Sequence, residues 1–139
     1  MAAGYLLDTN VVSETRKARA DDGVMTFLSA ADANGLFLSV LTLGALRKGV
    51  ASKRKSDPVV ADKLGAWVDS IELTFADRLL PVGAATARRW GELSAIRSLP
   101  VVDTLIAATA IRHGLTLVTR HARDARFTGV PILNPWKAR

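Results

Sequence analysis

The chain has 139 residues, 49% of them hydrophobic and 23% charged, which suits one soluble domain with a buried core. It has no cysteine and only two histidines, His113 and His121, which excludes disulfides, thiolate metal sites and a zinc centre built on several imidazoles. The formal net charge of +6 favours an anionic partner, nucleic acid before others.

The opening MAAGYLLDTN reaches Asp8 after a brief apolar run and carries no basic leader. No signal peptide is expected, no stretch approaches the roughly 18 apolar residues of a membrane span, and a cytoplasmic protein follows. GYLLD reads as a short buried strand, TNVVSETRKA as a helix, and DDGVMTFLSAA as a second helix with Val24, Phe27 and Leu28 on one face. GLFLSV, entered from Asn34-Gly35, predicts the second strand. LTLGALRKGV then predicts an amphipathic helix with Leu43, Leu46 and Val50 at helical spacing.

ASKRKSDPV is polar and reads as a loop, with Pro58 opening the next helix. That helix carries Val60, Leu64, Trp67, Val68 and Ile71 as its apolar stripe. RLLPV predicts an edge strand ended by Pro81, AATARRWGELSAIRS a helix, and VVDTLIAATAIRHG another, broken off from what precedes by Pro100 and stopped by Gly114. LTLVT and the short PILNP complete the strands. Strands alternate with helices throughout, without repeat or linker, so residues 1–139 form a single α/β domain with a mostly parallel sheet.

In such sheets, sites form beyond the carboxyl ends of the strands. Asp8 ends the first strand, Asp103 opens a long apolar helix, and Asp124 follows the fourth strand. Each also has a plain structural role open to it: Asp8 and Asp103 as helix caps, Asp124 as a solvated neighbour of Arg120, Arg123 and Arg126. If they converge, two carboxylates about 4 Å apart repel by roughly 4 kcal/mol at an effective dielectric near 20. A divalent cation removes that repulsion, and an all-oxygen donor set suits Mg²⁺ or Mn²⁺. Such a site activates water and stabilises a phosphodiester transition state.

Four stretches, LLDTNVVSE, FLSVLTLGALRKGV, PVVDTLIAATAIRHGLTLVTRHARD and GVPILNPW, together resemble the PIN-domain family, and within it the VapC/FitB type of toxin ribonuclease from bacterial type II toxin–antitoxin systems. The resemblance covers nearly the whole chain. It implies a PIN-like α/β/α sandwich and a Mg²⁺-dependent endoribonuclease that acts on RNA, as a homodimer. It also implies a small antitoxin that inserts a C-terminal segment near the active site and carries the complex to operator DNA. By the same resemblance Asp8 and Asp103 are metal ligands and Asp124 a further catalytic acid. Asn10 and Thr119 are polar neighbours lining the cleft. Glu14 matches a frequent glutamate of the subgroup, a solvated helix residue being the alternative. Near Asp124 the chain departs from the pattern: His121 stands where the family usually has Asn, and Ala125 where it has Phe.

The sharper departure is Ala45. The family writes T-L-x-E-L-R-x-G, and the chain has Thr42-Leu43-Gly44-Ala45-Leu46-Arg47-Lys48-Gly49. A glutamate there would complete a capping box with Thr42, worth about 1 kcal/mol, and would supply a catalytic carboxylate. The expectation is a Mg²⁺-dependent endoribonuclease made inactive or impaired by Ala45. Three origins are open: an inactivating substitution, a natural pseudo-enzyme that binds antitoxin or nucleic acid, or an acid shifted to Glu72 or Asp77. A receiver-like signalling domain would require an acidic pair near the first strand and a suitably placed lysine, which are not seen. Arg47 and Lys48, in a basic run continued by Lys53, Arg54 and Lys55, are candidate RNA contacts or a solvated face. Trp67, Trp90 and Trp136 read as packing residues.

Overall fold

The computed structural model describes residues 4–138; the expectation about a leader falls in part on residues 1–3, outside them. Five strands, β1 (Tyr5–Leu7), β2 (Leu36–Ser39), β3 (Leu79–Leu80), β4 (Thr116–Val118) and β5 (Ile132–Leu133), form one sheet in the order β3-β2-β1-β4-β5. Every pairing is parallel, with Leu6 beside Phe37 on one side and Leu117 on the other. The predicted edge strand at Leu79–Leu80 lies at the edge, where Pro81 costs no ladder bond.

A parallel sheet needs cover on both faces, and the strands show it. Successive residues point to opposite sides. Leu7, Leu36, Leu38 and Val118 belong to one core with Val11, Val24, Leu46, Val50 and Val68, drawn from α1 (Thr9–Glu14), α2 (Asp22–Ala30), α3 (Val40–Arg54) and α4 (Pro58–Thr74). Leu6 and Leu117 belong to the other, with Ile106, Ala107 and Ala110 of α6 (Val101–His113), against which α5 (Ala84–Ile96) packs. The result is the α/β/α sandwich. Leu38 is buried in the first core, and Leu38→Ala should cost about 2–5 kcal/mol in urea unfolding, with a cavity left in the middle of the sheet.

Three local expectations are corrected. The first helix stops at Glu14 rather than Ala18, where the Thr15 hydroxyl donates back to the Val12 carbonyl at 2.7 Å. Ala51–Arg54 are not loop: α3 continues through them, its last turn carrying Lys53 and Arg54 where the helix dipole favours cations, and Arg54 pairs with Asp62 at 2.8 Å. Val60 faces solvent, because Ala61, Leu64 and Val68 carry the buried stripe of α4. Trp67 and Trp136 pack against the first core, with Arg16 and Arg120 above their rings. Gly114 ends α6 as expected, in the left-handed conformation at φ 66°.

Candidate active site

The order β3-β2-β1-β4-β5 makes the chain reverse direction across the sheet between β1 and β4, and a crevice opens beyond the carboxyl ends of such a pair. Asp8 is the residue after β1. Its amide continues the ladder to the Val118 carbonyl at 2.9 Å while its side chain caps α1. α6 runs back toward the amino end of β4, so its first turn, with Asp103, lies at the same edge. The loop after β4 leads into α7 (Ala122–Ala125), which carries Asp124.

One pocket is lined by Asp8, Asp103, Asp124 and His121. Thr104, Thr119 and Thr128 add hydroxyls, and Leu99, Ala107, Leu117 and Ala125 give it apolar walls. Thus the three acids singled out by the sequence are brought together. Asp8 does serve as a helix cap, and this role fixes it at the pocket instead of removing it from the site. Asp103 is not a cap; Pro100 holds that position and Asp103 lies in the first turn.

Asp8 is held on every side. Its Oδ1 accepts the Thr9 amide at 2.8 Å, and its Oδ2 accepts the Thr119 hydroxyl at 2.8 Å and the Asn10 amide group at 3.2 Å. Asn10 Oδ1 in turn accepts the Arg120 amide at 3.3 Å, and the Thr119 hydroxyl accepts the His121 amide at 3.1 Å. The two polar neighbours therefore tie the β1 carboxylate to the β4–α7 loop. Asp103 sits at the solvent-open mouth. Partial burial, and then the negative charges of Asp8 and Asp124, push its carboxyl above the ordinary range, while His121 opposes the rise.

Ala45 is exposed on α3 and does not line the pocket among the described residues. The capping-box role is also excluded. Ser39 caps α3, its hydroxyl accepting the Leu41 amide at 3.0 Å, and Thr42 lies inside the first turn. Thr42 is fully buried and meets Thr9 hydroxyl to hydroxyl at 3.1 Å, beside Asp8. The side chain at 45 stands one turn further along the same face and leans back toward Thr42. The shifted-acid reading finds no support: Glu72 pairs with Arg47 at 3.1 Å and Asp77 with Arg78 at 2.8 Å, and neither lines the pocket.

The PIN domain family matches residues 5–132. The chain belongs to the PIN-domain family. This PIN domain is 33% identical to the VapC ribonuclease Y4jK of Sinorhizobium fredii, over 95% of the chain and 97% of that protein. It is 32% identical to toxin FitB of Neisseria gonorrhoeae over 94% and 97%, which places it with the VapC/FitB type. Among solved structures, FitAcB from Neisseria gonorrhoeae superposes with a TM-score of 0.80 at 32% identity, covering 96% of this chain and 99% of that one. VapBC2 from Rickettsia felis bound to a promoter DNA fragment does so at 0.72 and 25%, covering 94% and 97%.

The remaining candidates lie away from the pocket of the PIN domain. Arg47 braces α3 to α4 through Asp69 and Glu72, which raise its pKa in that order; Lys48 beside it is exposed. Glu14 is not a solvated helix residue: at 5% exposure it is buried, paired with Lys17 at 2.9 Å and accepting the Asp21 amide at 2.9 Å. The Lys17 hydrogen bond, then the Asp21 amide, hold its carboxyl below the ordinary value of 4.5. Glu14 therefore stabilises the fold above that value, and the contribution is lost as pH falls through its lowered folded pKa. Glu14→Gln should lower the urea midpoint at pH 7 and flatten its decline with acid below about pH 4.5, measured across pH 3–7. The sequence noted His121 only as a departure from a pattern. Its place in the pocket follows from lying three residues before Asp124 at the head of a helical turn, a spacing that sets side chains near one another.

Proposed function

We propose that this PIN domain is the toxin of a type II toxin–antitoxin pair, a metal-dependent endoribonuclease whose chemistry is impaired by Ala45. The observation that carries the reading is the convergence of Asp8, Asp103 and Asp124 on one pocket at the switch point of the sheet. The donor set is oxygen throughout apart from His121, and partial burial, then the charges of Asp8 and Asp124, raise the pKa of Asp103, costs that a bound cation would offset. Among the described residues no three acids or histidines close into a ready cage. Mg²⁺ keeps several waters and is commonly held by one or two carboxylates, so the proposed site does not require such a cage; Mn²⁺ is the alternative. Asp8 and Asp103 would hold it, and when bound it would supply charge neutralisation and an activated water. Asn10 and Thr119 hold Asp8 in place, and Asp124 adds negative charge to the same pocket.

The partner reading rests on the relatives, several of which are solved as toxin–antitoxin complexes, some with DNA. A cognate antitoxin would cover the acidic pocket and bring this chain to operator DNA. Exposed Ile96, Val101 and Val102 lie around the entry to α6, beside the pocket residue Leu99, and support a protein contact there, including a homodimer. Among the described residues no helix is long and apolar enough to cross a membrane, which is compatible with a cytoplasmic site of action.

The second reading, a pseudo-enzyme that binds antitoxin or nucleic acid without cutting, is favoured by Ala45 itself. RNA cleavage by the chain and by Ala45→Glu, each with Mg²⁺ and with EDTA, separates the two. Metal-dependent cleavage by the glutamate variant supports the nuclease, and no cleavage of any structured RNA overturns it.

A further inference from the structure

An anionic RNA entering this pocket meets three carboxylates, so something must offer it hydrogen-bond donors. The hydroxyls that line the pocket are already committed. Thr119 donates to Asp8, Thr104 to the Pro100 carbonyl at 3.4 Å, and Thr128 to the Ala125 carbonyl at 2.6 Å. Only His121 among the lining side chains carries a nitrogen donor. Its ring makes no hydrogen bond among the described residues, although its backbone amide is fixed by the Thr119 hydroxyl, the same group that fixes Asp8. Nor does the ring cap α7, which has no side-chain cap bond. A donor with no structural employment, anchored through the threonine that positions Asp8 and facing Asp103, is placed for a ligand.

We propose that the His121 imidazole binds a non-bridging oxygen of the RNA phosphate that enters the acidic pocket. This rests on the nuclease reading above. A carboxylate or an aliphatic side chain at this position would leave the pocket with no free side-chain donor. The imidazole offers one without adding to the negative charge. A hydrogen bond to a charged phosphate oxygen carries substrate affinity, and the residue is a substrate contact in addition to the three acids.

The test uses the Ala45→Glu chain and a fluorescein-labelled single-stranded oligoribonucleotide. His121→Leu in that background should raise KM about tenfold with kcat changed less than about threefold. His121→Gln, which keeps an N–H donor, should recover most of the loss. The thermal midpoint should change little in either variant, since the ring makes no hydrogen bond among the described residues and meets the fold only through the charge of Asp103. In the parent chain, RNA should shift the His121 ring resonances and leave those of His113 unchanged. His113 sits roughly 18 Å along α6 from its first residue and serves as an internal control. An unchanged KM in His121→Leu overturns the inference while the nuclease reading stands. So does a loss of Mg²⁺ affinity in place of RNA affinity, which would make the ring a metal ligand. If Ala45→Glu cleaves nothing, the nuclease reading fails, and the resonance shift alone then decides: an unmoved His121 signal overturns the contact.

Discussion

Ala45→Glu should raise metal-dependent RNA cleavage by about 10²–10⁴-fold, the range that a positioned carboxylate contributes as a general base or water-orienting group. The site is otherwise assembled: Asp8 is locked by three hydrogen bonds, and Asp103 and Asp124 line the same pocket. On the proposed reading the group to be restored is confined to one side chain, on a helix that forms and packs without it through Leu46 and Val50. A glutamate would extend from α3 back along the face that carries Thr42, whose hydroxyl meets Thr9 next to Asp8. One further methylene and the carboxylate give it the reach that the alanine methyl lacks. Because position 45 is exposed and is not a capping-box position, the thermal midpoint should change little. A gain in stability without a gain in cleavage would mean that the residue acts on the helix alone. Expression of the variant should arrest growth, and co-expression of the cognate antitoxin should relieve it.

Much of this site was legible because strand ends are legible. GYLLD and LTLVT are apolar runs that stop at polar residues, and a parallel sheet places such stops on one edge, so Asp8 and the Thr119–Asp124 loop fall together by topology. Asp103 was legible as the opening of an apolar helix after Pro100. What was not legible was the hydrogen bonding that decides each residue's role. T-x-x-A looks like a broken capping box in sequence, but Ser39, directly after the buried strand residue Leu38, takes the cap because the helix starts directly from β2 with no turn between. Glu14 looks like any polar helix residue. Only the fold of the α1–α2 loop, which brings the Asp21 amide and Lys17 over it, buries it. The loop assigned to Ala51–Arg54 failed for the opposite reason: Lys and Arg are good helix formers, and polarity alone does not end a helix.

Asp103→Asn in the Ala45→Glu background should abolish most cleavage, by at least about 10²-fold, while making the metal-free protein more stable. Burial and the charges of Asp8 and Asp124 raise the pKa of Asp103, so the folded state holds its proton more tightly than the unfolded chain does. Ionised Asp103 therefore costs stability. The cost is absent below the ordinary value of 3.8, grows as pH rises above it, and is complete above the raised folded pKa. At pH 7 in EDTA the amide variant should melt slightly higher. The gain is small because the carboxylate faces solvent and the helix dipole of α6 already favours an acid in its first turn. At pH 3.5 the difference should vanish. Mg²⁺ should raise the melting temperature of the parent through binding to the folded state and raise that of the variant less. On the proposed reading, the carboxylate that costs stability without metal would be the one through which metal binding stabilises the fold. A variant that keeps cleavage, or melts identically with and without Mg²⁺ while the parent does not, would remove Asp103 from the site.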